Sequence, residues 1–316
     1  MTSLKGRSLL TWLDYQVEEI RYLLDLSKKV KAESKDALSG KGATLQRFTG
    51  KTLALLFEKR STRTRCAFET AFGEEGGYPV FLSTDDIQLG AKESIEDTAR
   101  VLGRMFSAIQ FRGFKQETVE ALAKYSGVPV YNGLTDLFHP TQALADILTL
   151  EESFGDSKGK TLCFVGDGRN NVARSLMVIC SKLGVHFTVV TQAQLNPDAA
   201  LREKCAPLAA ASGAKINITD DTAAIAGADA LYTDVWTSMG EEDQKAQRVR
   251  LLSPYQVNSA LMEKTGRPEC IFLHCLPAVK GEEVTADVID GPQSRAWDQA
   301  ENRKHTIKAI MLATLT

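Results

Sequence analysis

Between Glu58 and Ala71 the chain reads EKRSTRTRCAFETA, which sets Lys59, Arg60, Arg63 and Arg65 around the hydroxyls of Ser61, Thr62 and Thr64. The run follows the apolar TLALLF, so the basic cluster falls where a strand gives way to a helix. In an open α/β sheet that edge is where ligands sit. Ser61 or Thr62 can cap the helix and leave backbone N–H groups, with the positive end of the dipole, facing the crevice beside Arg63 and Arg65. Guanidinium groups grip phosphate through paired hydrogen bonds, so this chemistry is capture of a phosphate-bearing ligand. A capped helix with solvated arginines is the plainer alternative. The coincidence of strand, hydroxyls and guanidinium groups favours the anion site.

Other segments place polar groups at equivalent points. FRGFK puts Arg112 at the end of the apolar AIQF, where a second arginine can face the same anion if both strands share a parallel sheet. FHPTQALADILTL carries Pro140 at a preferred first helical position, so His139 stands at the cap with Gln142 three residues on. Both side chains can donate to a carbonyl or phosphate. VGDGRNNVARS opens like a dinucleotide fingerprint, but Asn171 stands where the third glycine belongs, and the next strand, ending VVTQAQ, brings no acid for a ribose. Nicotinamide chemistry is therefore disfavoured, and asparagines there suit a polar ligand carrying both amine and carboxylate. Asp234, closing the strand in YTDVWTSMG, is either an ammonium partner or a turn former. In IFLHCLPA a continuing strand would send His274 and Cys275 to opposite faces, which leaves Cys275 as a pocket wall, an amine contact or buried packing. Arg303, in AENRKHTIKAIM, reaches the anion site only if the last helix returns to it.

Elements that position these residues follow from the apolar pattern. TLALLFE, YPVFLS, AIQFRG and VPVYNG alternate with helices starting near Thr62, Ser94, Gln116 and Pro140. KTLCFVGDG, VHFTVVT, AKINITD, ADALYTDVW and CIFLHCLP continue the rhythm. Strand and helix in alternation imply βαβ units, hence an α/β fold of two doubly wound parallel-sheet domains. At roughly 150 residues per domain, 316 residues also suggest two. The seam is expected in LTLEESFGDSKGK, giving a domain over residues 1–150 and another over 151–299, with the C-terminal helix, 300–316, packing back on the first.

A formal net charge of −2 gives no pull toward nucleic acid or an anionic membrane, so the basic cluster is local. No apolar run nears the roughly 20 residues that span a bilayer. The acidic Asp14, Glu18 and Glu19 are unlike a targeting peptide, so a cytoplasmic chain is expected. Cys66, Cys163, Cys180, Cys205, Cys270 and Cys275 form no CxxC pair, so neither a metal site nor a disulfide scaffold is expected.

Taken in order, STRTR, FRG, HPTQ, DVWTSMG, HCLPA and AENR resemble the aspartate/ornithine carbamoyltransferase family over nearly the whole chain. The resemblance implies a first domain for carbamoyl phosphate, a second for the amino acid, and a homotrimer or multiple of trimers with sites between subunits. It implies that Ser61, Thr62, Arg63, Thr64, Arg112 and Arg303 hold carbamoyl phosphate and that His139 and Gln142 address its carbamoyl group. Gln88 of DDIQLGAKES would enter a neighbouring subunit's site. Asn171, Asp234, Ser238 and Met239 match ornithine-binding positions, and Cys275 with Leu276 matches the loop touching ornithine and the carbamoyl group. By the same resemblance Arg63, Arg112, His139, Cys275 and Arg303 act in catalysis without metal or organic cofactor. HCLPA in place of a proline-rich HPLPR type, together with SMG, implies an ornithine-type acceptor and not aspartate; a related amine such as putrescine is the alternative.

Overall fold

The nine apolar runs all form strands, and every pairing between them is parallel. They are β1 (Thr52–Phe57), β2 (Tyr78–Ser83), β3 (Ala108–Arg112), β4 (Val130–Leu134), β5 (Thr161–Val165), β6 (His186–Val190), β7 (Ile216–Thr219), β8 (Ala230–Thr233) and β9 (Ile271–His274). The structure is a computed structural model that describes residues 3–83, 93–237 and 242–316. It divides into one unit of Met1–Leu148 with Glu301–Thr316 and another of Thr149–Ala300.

In the first unit the four-stranded sheet has the order β2-β1-β3-β4. Helices cover a parallel sheet on both faces, which is why β1 is a continuous apolar run and not an alternating one. Leu53, Ala54, Leu55 and Leu56 are all fully buried. Ile109, Phe111, Val119, Leu122 and Val130 share a core with Ala54 and Leu56 on one face. Each such Leu or Phe, fully buried, stabilises by about 1.5–3 kcal/mol. Chain order reverses between β1 and β3, so their carboxyl ends flank the crevice of the sheet.

Ser61 caps the helix Thr62–Gly73, its side chain accepting from the Thr64 N–H at 3.2 Å. The Glu58 N–H donates to the Arg112 carbonyl at 2.8 Å and ties the two central strand ends together. Gly113 follows because a Cβ there would lie 2.1 Å from a Glu58 carboxylate oxygen, which itself accepts from the Phe114 N–H.

The helix Ala296–Leu315 ends the chain, and from Glu301 onward it belongs to the first unit, as the apolar pattern and the resemblance imply. Lys31 donates to Asn302 at 2.7 Å, Lys308 reaches Glu74 at 2.8 Å, and the Tyr131 and Thr314 hydroxyls are 2.7 Å apart. Asn302, Arg303, Thr306 and Lys308 are almost completely buried for that reason.

The second unit has a five-stranded sheet of order β7-β6-β5-β8-β9, which reverses between β5 and β8. The Thr233 hydroxyl donates to the Val165 carbonyl at 2.7 Å and closes the seam between those two strands. Cys163, Val165, Leu231, Phe272 and Trp236 lie in its core.

Gly103 marks a close helix contact in the first unit: a Cβ there would stand 1.8 Å from the Ser126 carbonyl oxygen, where the helices Ile95–Met105 and Gln116–Ser126 meet. Gly103→Ala should therefore lower stability by about 1–3 kcal/mol through overpacking. Gly73→Ala, where nothing lies within 4 Å, should be neutral or stabilising. Urea unfolding of the two variants side by side checks the contrast.

Candidate functional site

The first unit gathers its polar groups at the reversal between β1 and β3. Thr64, fully buried, sits at the third residue of its helix, and its hydroxyl accepts from Arg112 Nη1 at 3.1 Å and from Arg303 Nη2 at 3.3 Å. With both lone pairs used, the hydroxyl hydrogen is left to donate to a further acceptor. Arg303 is 2% exposed; it also donates to Gln142 Oε1 at 2.6 Å, Thr141 Oγ1 at 3.3 Å and His139 Nε2 at 3.5 Å. These acceptors are uncharged, so none of them cancels the buried cation.

His139 records that field. Burial, and then the charges of Arg303, Arg112 and Arg63, hold its pKa well below the ordinary 6.5, and the ring is neutral. Since arginine only donates, Nε2 accepts from Arg303, and Nδ1 carries the hydrogen toward Thr141 Oγ1 at 3.4 Å. The other tautomer, with Nε2–H facing outward, would require the ring proton to change nitrogens, Thr141 to donate and Nε2 to give up its bond from Arg303. Gln142 is less free than its type suggests. Its carbonyl faces Arg303, and one of its amide hydrogens goes to Asp146 at 2.7 Å.

The basic cluster in EKRSTRTR divides. The charge of Arg63 acts on His139, whereas Lys59 turns to Asp136 at 2.6 Å and lies over the Phe114 ring, and Arg65 stacks on Phe81 while bonding Glu69. Of the two capping candidates, Ser61 takes the cap and Thr62 is the exposed first residue of the helix.

The second unit builds its half at the reversal between β5 and β8. Asn170 caps the helix Asn171–Leu183, and its Nδ2 donates to Asp234 Oδ2 at 2.8 Å. Asp234 Oδ1 accepts from the Val235 N–H at 2.8 Å and from the Cys275 thiol at 3.0 Å. A helix N-terminus favours an anion and a carboxylate favours a cation. The start of the helix Asn171–Leu183 and the Asp234 carboxylate are joined through Asn170 at one sheet edge, a pairing that offers something to each end of a zwitterion.

β9 stops at His274, so the strand alternation that separates His274 from Cys275 does not extend to Cys275. The thiol is half-buried and bonded to Asp234, which corrects the buried-packing reading. Asp234, His274 and Cys275 bring donor atoms within 4.8 Å of one another, the geometry of a metal cluster. His274, however, uses both nitrogens within the protein: Nδ1 accepts from the Leu276 N–H at 2.8 Å and Nε2 faces Glu283 Oε1 at 3.3 Å. Glu283 also accepts from the Val279 N–H at 2.6 Å. His274 and Glu283 thus hold the loop, in which Leu276 takes a φ of +60° and Leu276–Pro277 is cis. A metal would have to break that clamp.

Gln88, Ser238 and Met239 lie outside the described residues. Sequence reasoning passed over Asn170, Thr141, Asp146 and the pair His274 and Glu283. Asp146 carried a signal in its spacing of four residues from Gln142 on one helix. Asn170 carried another as a capping residue after a strand.

Two family descriptions match the chain: "Aspartate/ornithine carbamoyltransferase, carbamoyl-P binding domain" over residues 7–152, and "Aspartate/ornithine carbamoyltransferase, Asp/Orn binding domain" over residues 158–314. A protein named ornithine carbamoyltransferase from Caldanaerobacter subterraneus is 65% identical over 314 residues, 99% of each chain. One named catabolic ornithine carbamoyltransferase from Bacillus licheniformis is 52% identical, covering 99% of this chain and 97% of its own. Among solved structures, ornithine carbamoyltransferase from Pyrococcus furiosus is similar with a TM-score of 0.95 and 46% identity, over 100% of this chain and 99% of that one.

His305 is also held down, to about 4, by burial first and by Lys304 and Lys31, against the opposing pull of Glu301. Below 6.5 the unfolded chain takes up protons that folded His139 and His305 refuse, so stability is complete above that pH and is lost on acidification. Urea midpoints should fall from pH 6.5 to 5, and His305→Gln should reduce the slope by up to about one proton.

Proposed function

We propose that this chain, which belongs to the aspartate/ornithine carbamoyltransferase family, transfers the carbamoyl group of carbamoyl phosphate to the δ-amine of L-ornithine, giving L-citrulline and phosphate. The observation that carries the proposal is that Arg112 and Arg303 share the buried Thr64 hydroxyl beside His139 at one sheet edge, where the charge of Arg63 also acts on the ring. Three cations around an uncharged ring are costly without a multiply charged anion, and a departing phosphate is such an anion. The family assignment and the zwitterion receptor supply the other substrate.

In the proposed reaction the neutral δ-amine attacks the carbonyl carbon. A C–N bond forms, the bond from that carbon to the phosphate oxygen breaks, and the amine proton leaves with the phosphate. Arg63, Arg112 and Arg303, with Ser61, Thr62 and Thr64, hold the phosphate and stabilise the charge it gains. His139 and Gln142, backed by Arg303, orient the carbamoyl group, with Leu276 lining its site. Asp234 takes the α-ammonium, while Asn171, Ser238 and Met239 take the carboxylate side and Cys275 lies by the substrate amine. Putrescine has neither α-ammonium nor carboxylate, so it would leave the helix terminus and Asp234 unanswered.

The first unit is thus a carbamoyl phosphate-binding domain and the second an ornithine-binding domain. The assembly proposed is a homotrimer or multiple of trimers, Gln88 serving a neighbouring subunit. A mixed anhydride carbonyl passing to an amine yields a far less reactive ureido group, which favours the synthetic direction and a place in arginine biosynthesis. A cytoplasmic location agrees with six cysteines that form no disulfide. No helix among the described residues is long and apolar enough to cross a membrane.

Arg112→Met should lower kcat by about 100-fold or more, the cost of one preorganised donor to a developing anion. Asp234→Asn should instead raise KM for ornithine and leave that for carbamoyl phosphate unchanged. A colorimetric citrulline assay with ornithine, putrescine and aspartate in parallel checks both. An unchanged kcat in Arg112→Met, equal rises in KM for both substrates in Asp234→Asn, or carbamoylation of putrescine as fast as ornithine, would overturn the assignment.

A further inference from the structure

Asn170 answers two demands with one amide. Its backbone, at φ −54° and ψ 141°, turns the chain into the helix Asn171–Leu183, and Oδ1 accepts from the Val172 N–H at 2.7 Å. That bond settles which end of the amide is which: with oxygen committed to the helix, Nδ2 faces away from it. There it meets Asp234 Oδ2 at 2.8 Å.

Capping does not by itself call for an amide. Serine and aspartate cap as well as asparagine. Serine, however, is too short to reach Asp234, and aspartate would present an acceptor to an acceptor. The terminal torsion of an aspartate is broad and two-fold, so a carboxylate at a strand end swings unless its oxygens are held. Val235 and Cys275 hold Oδ1, while Asn170 holds Oδ2 from the neighbouring crossover.

We infer that Asn170 is a positioning residue for recognition of the amino-acid substrate: it fixes the rotation of the Asp234 carboxylate so that the remaining lone pair of Oδ2 meets the α-ammonium. The role rests on the reading of Asp234 as the ammonium partner. Asn170 acts through Asp234 and touches no reacting atom, so its effect falls on affinity for ornithine and not on the chemical step. Helix and receptor are also coupled, since the bond that starts the helix aims the donor.

The test uses the full-length enzyme with Asn170→Ser, Asn170→Ala and Asp234→Asn, measuring KM and kcat, the melting temperature, and inhibition by 5-aminovalerate, which is ornithine without its α-ammonium. Asn170→Ser should keep the melting temperature, because the cap survives. It should raise KM for ornithine about ten-fold or more, the scale of a hydrogen bond to a charged group, with kcat, KM for carbamoyl phosphate and 5-aminovalerate inhibition unchanged. Asn170→Ala should show the same KM and a lower melting temperature. An unchanged ornithine KM in Asn170→Ser, or equal weakening of ornithine and 5-aminovalerate, overturns the inference. If Asp234→Asn raises KM for ornithine and Asn170→Ser does not, the positioning role alone fails; if Asp234→Asn has no effect, the reading of Asp234 fails and takes the inference with it.

Discussion

A guanidinium group shut away from water must be met by acceptors, and the way Arg303 is met organises the first unit. Its donors run to Thr64, Thr141, Gln142 and His139, which come from the loops after β1 and β4 and from the helix starts beside them. Dispersed carboxylates would have neutralised that charge more cheaply. Hydroxyl, amide and imidazole take the hydrogen bonds of its two terminal nitrogens without adding negative charge. Burial first, and then the charges of Arg303, Arg112 and Arg63, keep His139 neutral.

That arrangement depends on how the last helix is secured. Arg303 can be buried at the first unit's sheet edge only because Asn302, Lys308 and Thr314 on the same helix are bonded to Lys31, Glu74 and Tyr131. Several ordinary contacts bear the cost of bringing one cation out of water. The stability of the terminal helix and the chemistry of the anion site are therefore one physical problem.

The second unit solves a different problem at the same topological place. A reversal of strand order leaves a crevice between β5 and β8, and chain chemistry fills it with a helix terminus on one side and a carboxylate on the other. Groups of opposite polarity thus meet at one edge of the second unit, where the first unit gathers cationic groups. Clamps from outside, His274 with Glu283 under the HCLPA loop and Asn170 beside Asp234, keep these groups from relaxing against one another.

Much of this was legible in the amino-acid order. Nine apolar runs, the Ser61 cap, Pro140 at a helix start and the six short motifs determined the α/β class, the strand ends and the types of group at each. Those are local matters, governed by periodicity and by bonds within a few residues. Partner choice is not local. That Arg65 stacks on Phe81, that Thr64 serves two arginines, one of them 239 residues away, and that Asn170 holds Asp234 were decided by packing. Residues of one type compete for the same partners, and only the folded backbone settles which are within 3 Å of each other.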